Sequence, residues 1–237
     1  MATDLVHNAV QLIVTAIADG RFAQGCALPR EAELAEMFAV SRLTMREAVR
    51  ILSDRGVLDV RRGRGTYVAP QEKWSDPATL IAVLASQTDQ RTLGIQLIEV
   101  RRMIEVGATG LAATHRTSTD IEHLQHWLAA YSEASQQSDI DAALTADIAF
   151  HDAILTASHN PLIPVMMSSL ASAVARSRRS TTELPDVRKR AAHHHRLIFE
   201  AIAAGDASAA KQAMRAHMTQ TRNDILLVTK TNSMKRE

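Results

Sequence analysis

The stretch Ser41-Arg42-Leu43-Thr44-Met45-Arg46-Glu47-Ala48-Val49-Arg50-Ile51-Leu52-Ser53 decides how the rest of the chain is read. Met45, Ala48, Val49 and Leu52 fall at i, i+3, i+4 and i+7, the spacing of one apolar stripe along a helix. Arg42, Arg46 and Arg50 fall at i, i+4 and i+8 and form a basic stripe elsewhere on the same helix. One side can pack while another offers guanidinium groups. Ser41 is placed to cap the first turn, with Thr44 beside it at the same end. A helix of this design fits the major groove of DNA, where arginine bonds guanine through two parallel hydrogen bonds.

Working outward, residues 5–18 predict a first amphipathic helix, with Val6, Val10, Ile13 and Ile17 on one side. A second helix follows Pro29 and buries Leu34, Ala35 and Phe38; Ala39 and Val40 then turn tightly into the third helix. On the other side, Gly56–Val60 and Thr66–Val68 read as two short strands joined by Arg61-Arg62-Gly63-Arg64-Gly65. Glycine lets the backbone pass close to DNA, and Arg62 and Arg64 can meet phosphates or a minor groove. Helix–turn–helix plus a basic hairpin is a winged helix.

Charge supports this placement. The 237 residues carry a net charge of +1, yet seven arginines face three acids between positions 42 and 64, and no lysine precedes residue 73. Arginine's planar fork suits phosphates and guanine edges better than lysine's point charge.

Composition sets outer limits. Aromatics make up only 3%, so the core must come from Ala, Leu, Ile, Val and Met, which favours helices. A lone cysteine, Cys26, permits neither an intrachain disulfide nor a thiolate zinc cluster. The longest apolar run, residues 80–85, is far too short to span a bilayer, and the first residues lack a secretory pattern. The expectation is a cytoplasmic protein with no membrane partner.

Residues 70–77, with Pro70 and Pro77, read as a linker between a first domain at 1–69 and a second at 78–230, followed by a tail at 231–237. The second domain is helical in pattern throughout. Thr119 with Glu122 fits a capping box, and Asn160-Pro161, Leu184-Pro185 and Gly205-Asp206 punctuate further helices. The fold class expected is mainly α: a winged helix-turn-helix followed by an antiparallel bundle of six or seven helices.

Inside that bundle, Asp147 and His151 stand four apart and share a helix face, as a two-ligand metal site requires. His195 has Ile198, Phe199 and Ile202 at +3, +4 and +7, so it points inward among the run His193-His194-His195. His217 follows on the next helix with Ala210, Ala213 and Met214 on its side. Three imidazoles and a carboxylate suit a borderline divalent ion: zinc first, nickel or manganese otherwise. Arg101 can pair with a carboxylate ligand, or with Glu105 one helical turn on as a surface ion pair. Arg102 reads as a surface residue; Arg176, Arg178 and Arg179 read as solvated, with the alternative that one of them lines the pocket.

The segments Leu28-Pro29-Arg30-Glu31-Ala32-Glu33-Leu34-Ala35, residues 40–49 and Arg62-Gly63-Arg64-Gly65-Thr66-Tyr67-Val68 resemble the GntR family of bacterial transcription regulators. The resemblance implies operator contacts from Arg42, Thr44 and Arg46, with Gly63 entering the groove at the wing tip; Arg30, Ser41, Arg50, Arg62 and Arg64 complete the expected DNA-facing set. Two positions depart from the family pattern. Arg30 replaces a common serine or threonine cap, and Ala32 replaces a common DNA-contacting arginine. Residues 93–113, Asp147-x-x-x-His151, Ser158-His159-Asn160-Pro161, 195–206 and 213–217 resemble the FCD ligand-binding domain of the FadR-like subfamily. That resemblance implies metal ligands at Asp147, His151, His195 and His217, and a small organic acid as effector with Arg101 at its carboxylate. Together these imply a metabolite-responsive repressor that binds palindromic operator DNA as a homodimer. Two other readings stay open: a metal-dependent enzyme acting on a small organic acid, and a metal-free regulator answering to an acyl thioester.

Overall fold

The computed structural model describes residues 2–234, with side chains from 4 to 227. The chain forms two compact units, residues 1–89 and 90–237.

In the first unit, α1 (Ala2–Ala18), α2 (Glu31–Met37) and α3 (Arg42–Asp54) precede a hairpin of β1 (Leu58–Arg61) and β2 (Gly65–Val68). The α3 boundaries follow from local chemistry. Ser41 Oγ accepts the Thr44 N–H at 3.0 Å, which starts the helix. Gly56 (φ +70°) lies just past its end, where a Cβ would sit 2.2 Å from the Lys73 carbonyl oxygen, so only glycine fits. Met45, Ala48, Val49 and Leu52 are buried, as their spacing predicts, against Ile13, Ile17 and Leu34. The strands pair antiparallel from Leu58↔Val68 to Arg61↔Gly65. The α2 helix lacks a side-chain cap at Arg30, as expected; Glu33 Oε2 accepts the Arg30 N–H at 3.0 Å instead.

The first boundary expected from sequence is displaced. Residues 70–77 are no free linker: they hold a 3-10 turn at Gln71–Lys73, and Trp74 packs on the first core while donating its indole N–H to the Ala69 carbonyl at 3.0 Å. The helix that follows, α4 (Pro77–Gln87), packs on α1 and inserts Val83 into the same core. It belongs to the first unit, because its apolar face is spent there.

The second unit holds seven helices among the described residues: α5 (Gln90–His115), α6 (Ser118–Gln137), α7 (Ile140–Ala157), α8 (Leu162–Ser168), α9 (Ala171–Thr182), α10 (Pro185–Ala204) and α11 (Ala207–Met234). Very short turns join α6 to α7 and α10 to α11, which makes each pair antiparallel neighbours. Gly205 (φ +77°) closes α10, and Asp206 Oδ1 accepts the Ser208 and Ala209 N–H groups to open α11. The capping box sits two residues before the expected one: Thr117 Oγ1 accepts the Asp120 N–H and Asp120 Oδ2 accepts the Thr117 N–H at 2.8 Å. Of the expected tail, residues 231–234 continue α11 and 235–237 lie outside the described residues. No helix among the described residues is long and apolar enough to cross a membrane.

Candidate metal centre and nucleic-acid interface

Three helices of the second unit turn imidazoles and a carboxylate into an otherwise apolar interior. On α7, Asp147 and His151 share the inward face with Phe150 and Ile154. On α10, His195 lies with Ile198 and Ile202, and on α11 His217 lies with Met214 and Met218. Small residues such as Ala108, Ala112, Ala143 and Ala146 let these helices close together. One nitrogen from each of His151, His195 and His217 lies within 4.8 Å of the others. His151 Nε2 and His217 Nε2 are 3.2 Å apart, and Asp147 Oδ1 is 3.2 Å from His195 Nε2 and 4.0 Å from His151 Nε2. Ligand atoms around one cation at a bond length of about 2.1 Å stand roughly 3.0–3.4 Å apart; the two 3.2 Å separations match a shared ion, and the 4.0 Å one is wider than that range.

Protonation favours the same conclusion. His151 Nδ1 lies 2.5 Å from Glu105 Oε2 and donates its proton there, leaving the Nε2 lone pair aimed at His217. Burial and then the Arg178 charge push His151 down to about 4, against the pull of Glu105 and Asp147. Burial, then His195 and His151, hold His217 well below its usual range. Both imidazoles are therefore neutral lone-pair donors at pH 7. His195 is fully buried; its Nδ1 has no hydrogen-bond partner, its Nε2 faces Asp147 Oδ1 at 3.2 Å, and His217 Nδ1 has no partner either. A buried imidazole nitrogen held only by a carboxylate or by another imidazole is poorly satisfied, and a cation among the three Nε2 atoms would give each lone pair a partner. The residues present fit a divalent metal.

Metal-free protein should lose stability in acid. An unfolded His151 titrates near 6.5, whereas the folded one stays neutral to about 4. Across that window the unfolded chain takes up a proton that the folded chain refuses. Stability is thus complete above pH 6.5 and falls toward pH 4, by on the order of 3 kcal/mol from His151 alone, with His217 adding in the same direction. Urea unfolding of chelator-treated protein between pH 7.5 and 4 measures this; a flat profile would contradict the neutral-imidazole assignment.

Three charged residues brace the cluster. Glu105 on α5 is 1% exposed and accepts from Arg101 Nε at 2.7 Å as well as from His151. Burial pushes its carboxyl up, but Arg101, His151 and Arg178 together hold it well below the usual carboxylate range. Arg178 on α9 donates to Asp147 Oδ2 in a close ion pair and lies 4.0 Å from Glu105 Oε1. The reading of Arg178 as solvated is therefore corrected in favour of the alternative that one of the three arginines lines the pocket: α9 turns Arg178 inward, while Arg176 and Arg179 stay exposed. Arg101 is 4% exposed, and its Nη2 has no partner. It makes the Glu105 ion pair read from sequence, but inside the protein rather than on the surface. Arg101, Arg178, Tyr131, Thr181 and His217 line a cavity of about 30 Å³, room for about one water.

The first unit gathers the other expected residues on α3 and the hairpin. Arg30, Ser41, Arg42, Arg46, Arg50, Arg62, Gly63 and Arg64 are exposed, and Thr44 is half-buried with its hydroxyl 2.7 Å from Ser41 Oγ. Gly63 takes a positive φ of 73° at the hairpin tip. Some of these arginines already have acidic neighbours. Arg46 Nε donates to Glu31 at 3.2 Å, and Arg50 is held by Glu47 at 2.6 Å and Asp54 at 2.8 Å.

Comparison with known proteins covers both units. The model of the "Bacterial regulatory proteins, gntR family" matches residues 5–68, and that of the FCD domain matches residues 96–220. The HTH-type transcriptional regulator LutR of Bacillus subtilis (strain 168) is 34% identical over 89% of this chain and 95% of its own length. A regulatory protein of Escherichia coli (strain K12) named for the L-lactate dehydrogenase operon is 34% identical over 82% of this chain and 76% of its own length. The galactonate operon transcriptional repressor of the same strain is 33% identical over 83% of this chain and 86% of its own. All three are named as regulators and none as an enzyme, which sets aside the reading of the chain as a metal-dependent enzyme.

Proposed function

Because the chain belongs to the GntR family of bacterial transcription regulators and carries an FCD domain, we propose that it is a DNA-binding repressor released by a small 2-hydroxy carboxylate. Regulators of this family bind operator DNA and small-molecule effectors, usually as dimers. In this reading a homodimer sets two copies of α3 on a palindromic site in the cytoplasm, since two-fold protein symmetry must match half-site symmetry. Arg42, Thr44 and Arg46 read bases, while Arg30, Ser41, Arg50, Arg62, Gly63 and Arg64 hold the backbone and the groove edge.

The observation that carries the effector half is the convergence of Asp147, His151, His195 and His217 beside the unpartnered Nη2 of Arg101. These four side chains would hold a divalent ion, zinc foremost. The ion would supply a Lewis-acidic site for carboxylate and hydroxyl oxygens. L-lactate and galactonate, named in the operons of two relatives, are both 2-hydroxy monocarboxylates. The cavity is too small for such an acid as it stands. Binding in that cavity would displace Arg101 from Glu105 or Arg178 from Asp147, and that rearrangement would couple the acid to DNA affinity.

A thermal-shift screen tests this directly, using lactate, glycolate, galactonate, citrate and acetate with and without added zinc, nickel or manganese. A 2-hydroxy acid that raises Tm only with metal supports the assignment. An acyl thioester that stabilises chelated protein would favour the metal-free alternative. On the DNA side, Arg46→Ala should weaken operator binding by about 1–3 kcal/mol and relax the base preference at one position of each half-site. Unchanged gel-shift affinity and unchanged base preference would remove Arg46 of α3 as a reader.

A further inference from the structure

We propose that Leu43 recognises the 5-methyl group of a thymine in the operator's major groove, a specificity contact beyond the arginine contacts of α3. The inference rests on the reading of α3 as the DNA-reading helix. Leu43 is 77% exposed, more than any other large hydrophobic side chain among the described residues. A single exposed leucine is ordinary, so its position carries the argument. At about 100° per residue, Leu43 lies roughly 170° from the centre of the stripe formed by Met45, Ala48, Val49 and Leu52. It therefore stands at the middle of the face turned away from the core.

Its neighbours on that face are charged. Arg46 lies about 60° to one side and Glu47 about 40° to the other, with Arg50 two turns further along. Arg50 is tied down by Glu47 and Asp54, so the C-terminal half of this ridge is closed by ion pairs. The first turn, which in helix-turn-helix proteins meets the base edges, presents Leu43 at its summit.

A leucine can neither donate nor accept a hydrogen bond. Guanine and adenine present hydrogen-bonding groups on the major-groove edge and cytosine an amino donor beside a bare C5–H, whereas thymine carries a methyl group there. Leu43 inserted against any other base would desolvate polar atoms and give nothing back. Its preference is therefore for thymine, through apolar contact.

The test begins with selection of an operator sequence from a randomised duplex pool by the full-length protein. Thymines of the selected duplex are then replaced one at a time by deoxyuridine, which lacks only the methyl group. Binding is measured at fixed salt for the wild type and for Leu43→Ala, a surface change that leaves the core intact. The expected result is one thymine per half-site whose conversion weakens wild-type binding about fourfold, as removal of one buried methyl predicts. Leu43→Ala should bind the thymine duplex more weakly and be indifferent to deoxyuridine at that position. There, 5-methylcytosine should bind the wild type better than cytosine. A selected duplex with no methyl-dependent thymine, or one whose methyl dependence survives in Leu43→Ala, overturns the proposal. A pool that enriches no sequence overturns the DNA-reading assignment itself, and this contact with it.

Discussion

Replacing Glu105 by alanine is expected to destabilise the second unit by about 3–5 kcal/mol, the range for leaving a buried charge uncompensated. Two guanidinium groups and an imidazole lean on this one carboxylate: Arg101 at 2.7 Å, His151 at 2.5 Å and Arg178 at 4.0 Å. Arg178 keeps Asp147 as a second partner, but Arg101 loses its ion pair with Glu105 and stays inside the bundle. The change also frees the His151 ring, whose Nδ1 proton is held by the Glu105 carboxylate. Loss of such an outer carboxylate typically lowers metal affinity by 10–100-fold. Urea unfolding at constant m-value measures the first effect, and metal titration the second. Glu105→Gln separates them: it keeps an acceptor at nearly the same volume while removing the charge. If Glu105→Ala unfolded within 1 kcal/mol of the wild type, the carboxylate would not be the electrostatic hub of the cluster.

The second large effect concerns His195. In wild-type protein, metal at a hundred times its dissociation constant should add about 2.7 kcal/mol of stability over chelator-treated protein. In His195→Ala this difference should collapse toward zero, and purified protein should carry far less bound metal. The comparison is internal to each variant. Any cost of the hole left beside Phe150 and Tyr131, whose rings stand 4.7 and 5.0 Å from the His195 ring, cancels. Equal metal-dependent stabilisation in both proteins would remove His195 from the ligand set.

Parts of this arrangement were readable before any coordinates. The apolar stripe and basic stripe of α3 are local patterns, and local patterns survive folding. Asp147 and His151 were readable for the same reason, being one helical turn apart. Glu105 was not. An arginine and a glutamate at i and i+4 look alike on a surface and in a core, and only packing of α7, α9 and α11 over α5 makes the pair buried. Arg178 was hidden between Arg176 and Arg179, since the apolar stripe of α9 is too weak to fix which of the three faces inward. The capping box slipped because Thr117/Asp120 and Thr119/Glu122 fit the motif equally well. The allegiance of α4 was obscured by Pro70 and Pro77, which punctuate the chain without cutting it, as Trp74 and Val83 demonstrate.

That last feature bears on anyone wishing to graft this DNA reader onto a foreign sensor. A splice after residue 69 would strand an unfilled socket where Val83 and the Trp74 indole should sit, and the transplanted module would arrive half-melted. The seam that leaves both parts whole falls after Asp89, so the portable piece is a four-helix reader rather than a three-helix one.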